Sequence, residues 1–121
     1  MTRWDDESAR GLSAATFRSV ADLWHHRVGS TPDGEALTYR TRGGWASLTW
    51  RQVDRRVQMI GNALLAFGLT PEQRCAIVST TRLEWILADL GIGCAGGAPT
   101  TVYPHSTPDD VAVVVHNSAT V

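Results

Sequence analysis

The stretch Arg74–Val121 constrains the fold most. Ala76-Ile77-Val78 is a short apolar run between a polar turn and Ser79-Thr80-Thr81, the pattern of a strand buried on both faces. Thr81-Arg82-Leu83-Glu84 then fits a capping box, with the Thr81 hydroxyl taking an amide of the first turn and Glu84 reaching back. Trp85, Ile86, Leu87, Ala88 and Leu90 are apolar almost all round, as in a helix held between layers. Gly93, Gly96, Gly97 and Pro99 stop it, and Pro99-Thr100-Thr101-Val102 restarts as extended chain. Strand, helix and strand in this span predict a βαβ unit with a right-handed crossover. The fold class predicted is therefore α/β: a mostly parallel sheet with flanking helices.

The segments upstream agree. Phe17, Val20, Ala21, Trp24 and Val28 share one face of a helix over Thr16 to Val28, ended by Gly29-Ser30-Thr31-Pro32. Ala36 to Tyr39, Gly43-Gly44 and Trp45 to Leu48 read as a small N-terminal β-hairpin. Thr49 and Gln52 form a second capping box, followed by Val53, Val57, Ile60, Leu64 and Phe67 at alternating spacings of four and three. Thr107 caps a last helix, with Pro108 at its first position and Asp109 and Asp110 in its first turn. Val113-Val114-Val115 favours strand by propensity, but the cap signals argue helix. Ala119-Thr120-Val121 begins another extended segment. Residues 1–13 are polar and expected to be a flexible terminus, with one domain over 14–121.

Composition excludes several function classes. A net charge of −1 leaves no electrostatic footprint for nucleic acid. No apolar run approaches the roughly 18 residues of a membrane span, and the opening residues lack the order of a signal peptide. A cytoplasmic location is the expectation. All eleven basic residues are arginine. Without lysine there is no Walker-type phosphate loop and no Schiff-base lysine. Cys75 and Cys94 read as free thiols. The acidic cluster Asp5, Asp6, Glu7 and the pair His25-His26 do not recur at metal-ligand spacing, so no metal site is expected.

Gly91-Ile92-Gly93-Cys94-Ala95-Gly96 matches G-x-G-x-x-G literally. A dinucleotide site needs that run after a strand and opening a helix. Here a helix precedes it and an extended segment follows, so close packing of a helix end is the better reading. A small nucleotide-binding module using Gly91–Gly96 is the alternative.

The runs TWRQVDRRVQMIGNALLAFGLTPEQRCAIVS and TTRLEWILADLGIGCAGGAPTTVYPHSTPDDVAVVVHNS resemble the N-terminal part of AMP-forming acyl-CoA synthetases, the long-chain fatty-acid CoA ligases of the adenylate-forming superfamily. The resemblance covers roughly Thr16 to Val121; its best marks are Glu84-Trp85 with Asp89, then Thr101-Val102-Tyr103-Pro104 before an acidic helix start. It implies a partial N-terminal subdomain whose parent joins a fatty acid to CoA with ATP and Mg²⁺. It also implies that the loop of Thr101, Tyr103, Pro104 and His105 lies near substrate, shaping rather than reacting. The catalytic sequences of that family, the lid lysine included, are not in this chain. It is expected to hold no catalytic residue and bind no cofactor alone, and to be inactive unless the remainder of the ligase completes it; a separately encoded remainder is the split-enzyme alternative.

Overall fold

A computed structural model describes residues 17–121. The expected features of 1–13 and Thr16, the acidic cluster among them, lie outside the described residues. Helix α1 runs Val20–Ser30, and Ser19 caps it by accepting the Asp22 amide. The sequence reading started this helix at Thr16. The Ser19 hydroxyl sets the start later, leaving Phe17 ahead of the cap.

Strands β1 (Glu35–Thr41) and β2 (Gly44–Thr49) form the antiparallel hairpin, with Tyr39 opposite Ala46 and Arg40 opposite Trp45. The positive φ falls on Gly44, at 131°. Helix α2 spans Trp50–Ala66 and opens with a full capping box: Thr49 accepts the Gln52 amide and the Gln52 side chain accepts the Thr49 amide. Its apolar stripe is buried at Val53, Val57 and Gly61 and surfaces at the far end, where Phe67 is 91% exposed.

Strand β3 (Arg74–Val78), helix α3 (Leu83–Cys94) and strand β4 (Ala98–Val102) make the βαβ unit, and β3 pairs with β4 in parallel, Arg74 opposite Ala98 and Val78 opposite Val102. Helix α4 covers Pro108–Ser118; Thr107 and Asp110 form its capping box. That box overrides the strand propensity of Val113–Val115. After Ala119, at a left-handed φ of 51°, Thr120 bridges Arg74 in parallel, on a second edge of β3. The architecture is the α/β arrangement read from the sequence, with the hairpin as a separate two-stranded sheet.

Trp24, Leu48, Val53, Val57 and Leu87 form the core, so α1, the hairpin, α2 and α3 meet there. Burying each such side chain is worth about 1.5–3 kcal/mol. The Trp24 indole Nε1 donates to Asp54 Oδ1 at 2.7 Å, which satisfies the polar end of a buried ring. Arg27 lies 3.8 Å over the Trp50 ring. Helices α2 and α3 cross closely because Gly61 and Gly91 face each other: a Cβ on Gly61 would sit 3.3 Å from the Gly91 carbonyl, and one on Gly91 would meet Ile60 at 2.6 Å.

Candidate functional site

The C-terminal ends of parallel strands are where open α/β sheets hold ligands. At that end of β3 the chain runs through Ser79-Thr80-Thr81 into α3. Opposite stand Leu37, Tyr39, Arg40 and Trp45 of the hairpin. Between them lies an open groove of about 650 Å³.

The start of α3 is not the capping box expected from Thr81 and Glu84. Arg82 is the cap residue, and no side chain caps the helix. Glu84 is thereby one position too early to reach back. The Arg82 guanidinium takes its carboxylate instead, Nε donating to Oε2 at 2.6 Å and Nη2 to Oε1 at 2.9 Å. A forked, charge-assisted pair outcompetes a neutral hydroxyl contact. Arg82 beside it holds the Glu84 carboxyl below its ordinary range, and Glu84 in turn pushes Arg82 up. Arg82 and Glu84 thus neutralise each other in the groove lining, which also carries Arg40.

The loop after β4 is a separate feature. Val102 is buried, but Thr101, Tyr103, Pro104 and His105 are exposed, Tyr103 at 82%. The Ser106 amide donates to the Tyr103 carbonyl at 3.0 Å and closes a tight turn. None of these four residues lines the groove beside α3. Among the described residues the His105 ring has no hydrogen-bond partner, so nothing there orients it as a base.

Thr49, Gln52 and Thr107 sit at helix starts, in hydrogen bonds that use their polar groups up. The glycine run Gly91–Gly96 closes α3 instead of opening a helix. It presents carbonyls where a pyrophosphate would need amides, so the dinucleotide alternative fails on geometry. His25 contacts its own helix at the Ala21 carbonyl, 2.7 Å away, and His26 packs on Phe17, so the two imidazoles do not converge. Burial pushes the Cys94 thiol up, with Asp54 adding to it.

No three carboxylate, imidazole or thiol groups gather among the described residues. At the start of α3 the Arg82 and Glu84 side chains pair with each other and leave the helix without a side-chain cap, and the start of α4 carries Asp109 and Asp110, which repel phosphate. No described helix is long and apolar enough to cross a membrane.

Residues missed by sequence reasoning are those whose role depends on side-chain direction: Arg82, and the pair Arg40 and Trp45 across the hairpin. Ser19 was within reach, since its spacing to Asp22 is that of a cap.

Residues 24–121 match the AMP-binding enzyme family. The chain belongs to that family. Like it is the long-chain-fatty-acid–AMP ligase FadD26 of Mycobacterium tuberculosis, 38% identical over 85% of this chain and 19% of that protein. The long-chain-fatty-acid–CoA ligase ACSBG2 of Gallus gallus is 24% identical over 95% and 15%. Among solved structures, the fatty acid AMP ligase of Legionella pneumophila superposes with a TM-score of 0.78 at 26% identity, covering 88% of this chain and 19% of that one. The N-terminal subdomain of Klebsiella oxytoca NpsA superposes at 0.76 with 18% identity, over 86% and 26%, a likeness of fold alone. This AMP-binding family chain spans about a fifth of the length of the FadD26 relatives it matches. It carries the N-terminal portion of an adenylate-forming fold.

Proposed function

We propose that this chain is the N-terminal portion of a fatty acyl-AMP ligase, with residues 14–121 contributing to its AMP-binding domain and acting in the cytoplasm. The 38% identity to a long-chain-fatty-acid–AMP ligase carries this reading. In the reaction, a fatty carboxylate oxygen attacks the α-phosphorus of ATP, an acyl-adenylate forms and pyrophosphate leaves. Such a step needs cations and amides around the phosphates, and the described residues bring no three metal-ligating groups together. On this reading the remaining four-fifths of the enzyme, in one polypeptide or as a separate partner, completes the site for ATP, Mg²⁺ and fatty acid. The turn of Thr101, Tyr103, Pro104 and His105, at the end of a parallel strand, shapes the substrate region of that assembly.

A second reading extends the reaction: CoA displaces AMP and acyl-CoA is released. The likeness to ACSBG2 favours it, at 24% identity, and the higher identity to the AMP ligase places it second.

Pure 121-residue protein should give no fatty-acid-dependent exchange of pyrophosphate into ATP; an exchange signal from it would refute the need for a remainder. A longer native polypeptide should give acyl-AMP by mass spectrometry. Acyl-CoA as the main product would decide for the second reading, and neither product would overturn both.

A further inference from the structure

Four consecutive residues of β1, Leu37 to Arg40, line the open groove of about 650 Å³ beside the start of α3. Successive side chains of a strand point to opposite faces, so four in a row meet one groove only along an edge. Thr41 stands opposite Gly44 across a two-residue turn, and Leu37 and Tyr39 stand opposite Leu48 and Ala46. Bonded pairs alternate along an antiparallel ladder, and the pair that closes a two-residue turn is a bonded one. Leu37, Tyr39 and Thr41 therefore direct their N–H and C=O to β2, while Thr38 and Arg40 turn theirs to the groove. Among the described residues no backbone group bonds them there.

The groove is apolar on its floor and basic at one lip. Leu37, Tyr39, Leu83 and Ile86 are half-buried in it, and Trp45 stands 71% exposed at its rim. Arg82 and Glu84 cancel each other, and Glu35 accepts the Thr38 hydroxyl. Arg40 lies 5.9 Å from the centre of the Trp45 ring and pairs with no carboxylate among the described residues. An open strand edge beside a basic lip suits an extended, acidic segment with one large apolar side chain.

The chain carries such a segment itself, Trp4-Asp5-Asp6-Glu7. We propose that this segment docks in the groove along the outer edge of β1, with Trp4 against the apolar floor and the carboxylates toward Arg40. Direction and reach agree. A Cβ on Gly93, near the end of α3, would meet Val20 at the start of α1 at 3.2 Å. Val28 near the end of α1 and Leu83 at the start of α3 pack against the same core, so the two helices run in opposite senses. Phe17, ahead of the Ser19 cap, turns back along α1 and meets the His26 ring at 5.2 Å, toward the groove end of the molecule. Glu7 lies ten residues before Phe17, a reach of up to about 33–36 Å, whereas the twelve residues of α3 measure only about 18 Å. The docking needs nothing beyond these 121 residues.

The test is residue-resolved amide exchange on the whole 121-residue chain. The Thr38 and Arg40 amides should be protected. In a variant carrying Asp5→Lys, Asp6→Lys and Glu7→Lys both should exchange about tenfold faster or more, while the amide of Val57, fully buried in α2, keeps its rate. Adding Arg40→Glu to that variant should restore protection at positions 38 and 40, because the charges match again; a purely structural role of Arg40 gives no such restoration. Unprotected Thr38 and Arg40 amides in the natural sequence, protection that the triple variant leaves untouched, or no restoration by Arg40→Glu would each overturn the proposal. Protection that grows with protein concentration would give the groove to the segment of a second copy and overturn docking within one chain.

Discussion

At Gly91 a single hydrogen atom decides how closely two helices pack. A Cβ there would meet Ile60 Cγ2 at 2.6 Å and Ile60 Cβ at 2.9 Å, and the second contact is not the flexible tip of a side chain. Gly91→Ala should therefore destabilise the chain by about 1–3 kcal/mol, read from the midpoint of a urea transition; an unchanged midpoint would show that α2 and α3 separate freely. Glu84 offers a pH-dependent counterpart. Its carboxyl, paired with Arg82, is held below the value it has in an unfolded chain. The pair's contribution is thus fully present above the unfolded value, about 4.3, and is lost as pH falls through the lower folded one. An NMR titration should find Glu84 protonating at lower pH than ordinary glutamates, and Arg82→Gln should bring it back among them. Close packing at the Gly91–Gly96 run was legible in the sequence, but its partner Ile60 on α2 and the Arg82–Glu84 fork were not. Glycine in a helix can signal a cap, a turn or a close approach alike, and an Arg two residues before a Glu carries no signature of a fork until the backbone fixes both directions.

Helix starts were the more legible scale. Thr49 with Gln52 and Thr107 with its acidic first turn announce α2 and α4, because a hydroxyl and an amide three residues apart satisfy each other locally. Thr81 failed for an instructive reason: a cap one residue later, at Arg82, also fits the chain, and the ion pair with Glu84 selects that alternative. Alanine at Thr49 or Thr107 should each cost about 1 kcal/mol, whereas Thr81→Ala should leave the thermal midpoint nearly unmoved; equal losses at all three would contradict the cap assignment. Strand β3 and the hairpin were likewise visible, as apolar runs bounded by turn residues. The groove between them was not, because it joins Trp45 and Arg40 to Thr80 and Arg82 across a distance in sequence that no local pattern spans.

Over the whole molecule, apolar surface is unevenly covered. Helix α4 buries no residue, and Val20, Trp45, Met59, Phe67, Tyr103 and Val113 all stand more than half exposed. The chain spans about a fifth of the length of its FadD26 relatives, and exposed apolar faces of this kind mark contact surfaces. The isolated 121-residue protein should bind anilinonaphthalene sulfonate and sediment as growing oligomers with concentration; a dye-silent monomer across that range would mean these faces cover one another. The core has a different geography. All five of its members, from Trp24 to Leu87, precede the first residue of β4 in the chain. Translation runs from the N-terminus at roughly 5–20 residues per second. The indole, the leucines and the two valines therefore make their contacts with one another without any residue from Ala98 onward. The contacts of the core can thus close without the parallel ladder, whereas the ladder requires Ala98–Val102 and the bridge to Arg74 requires Thr120.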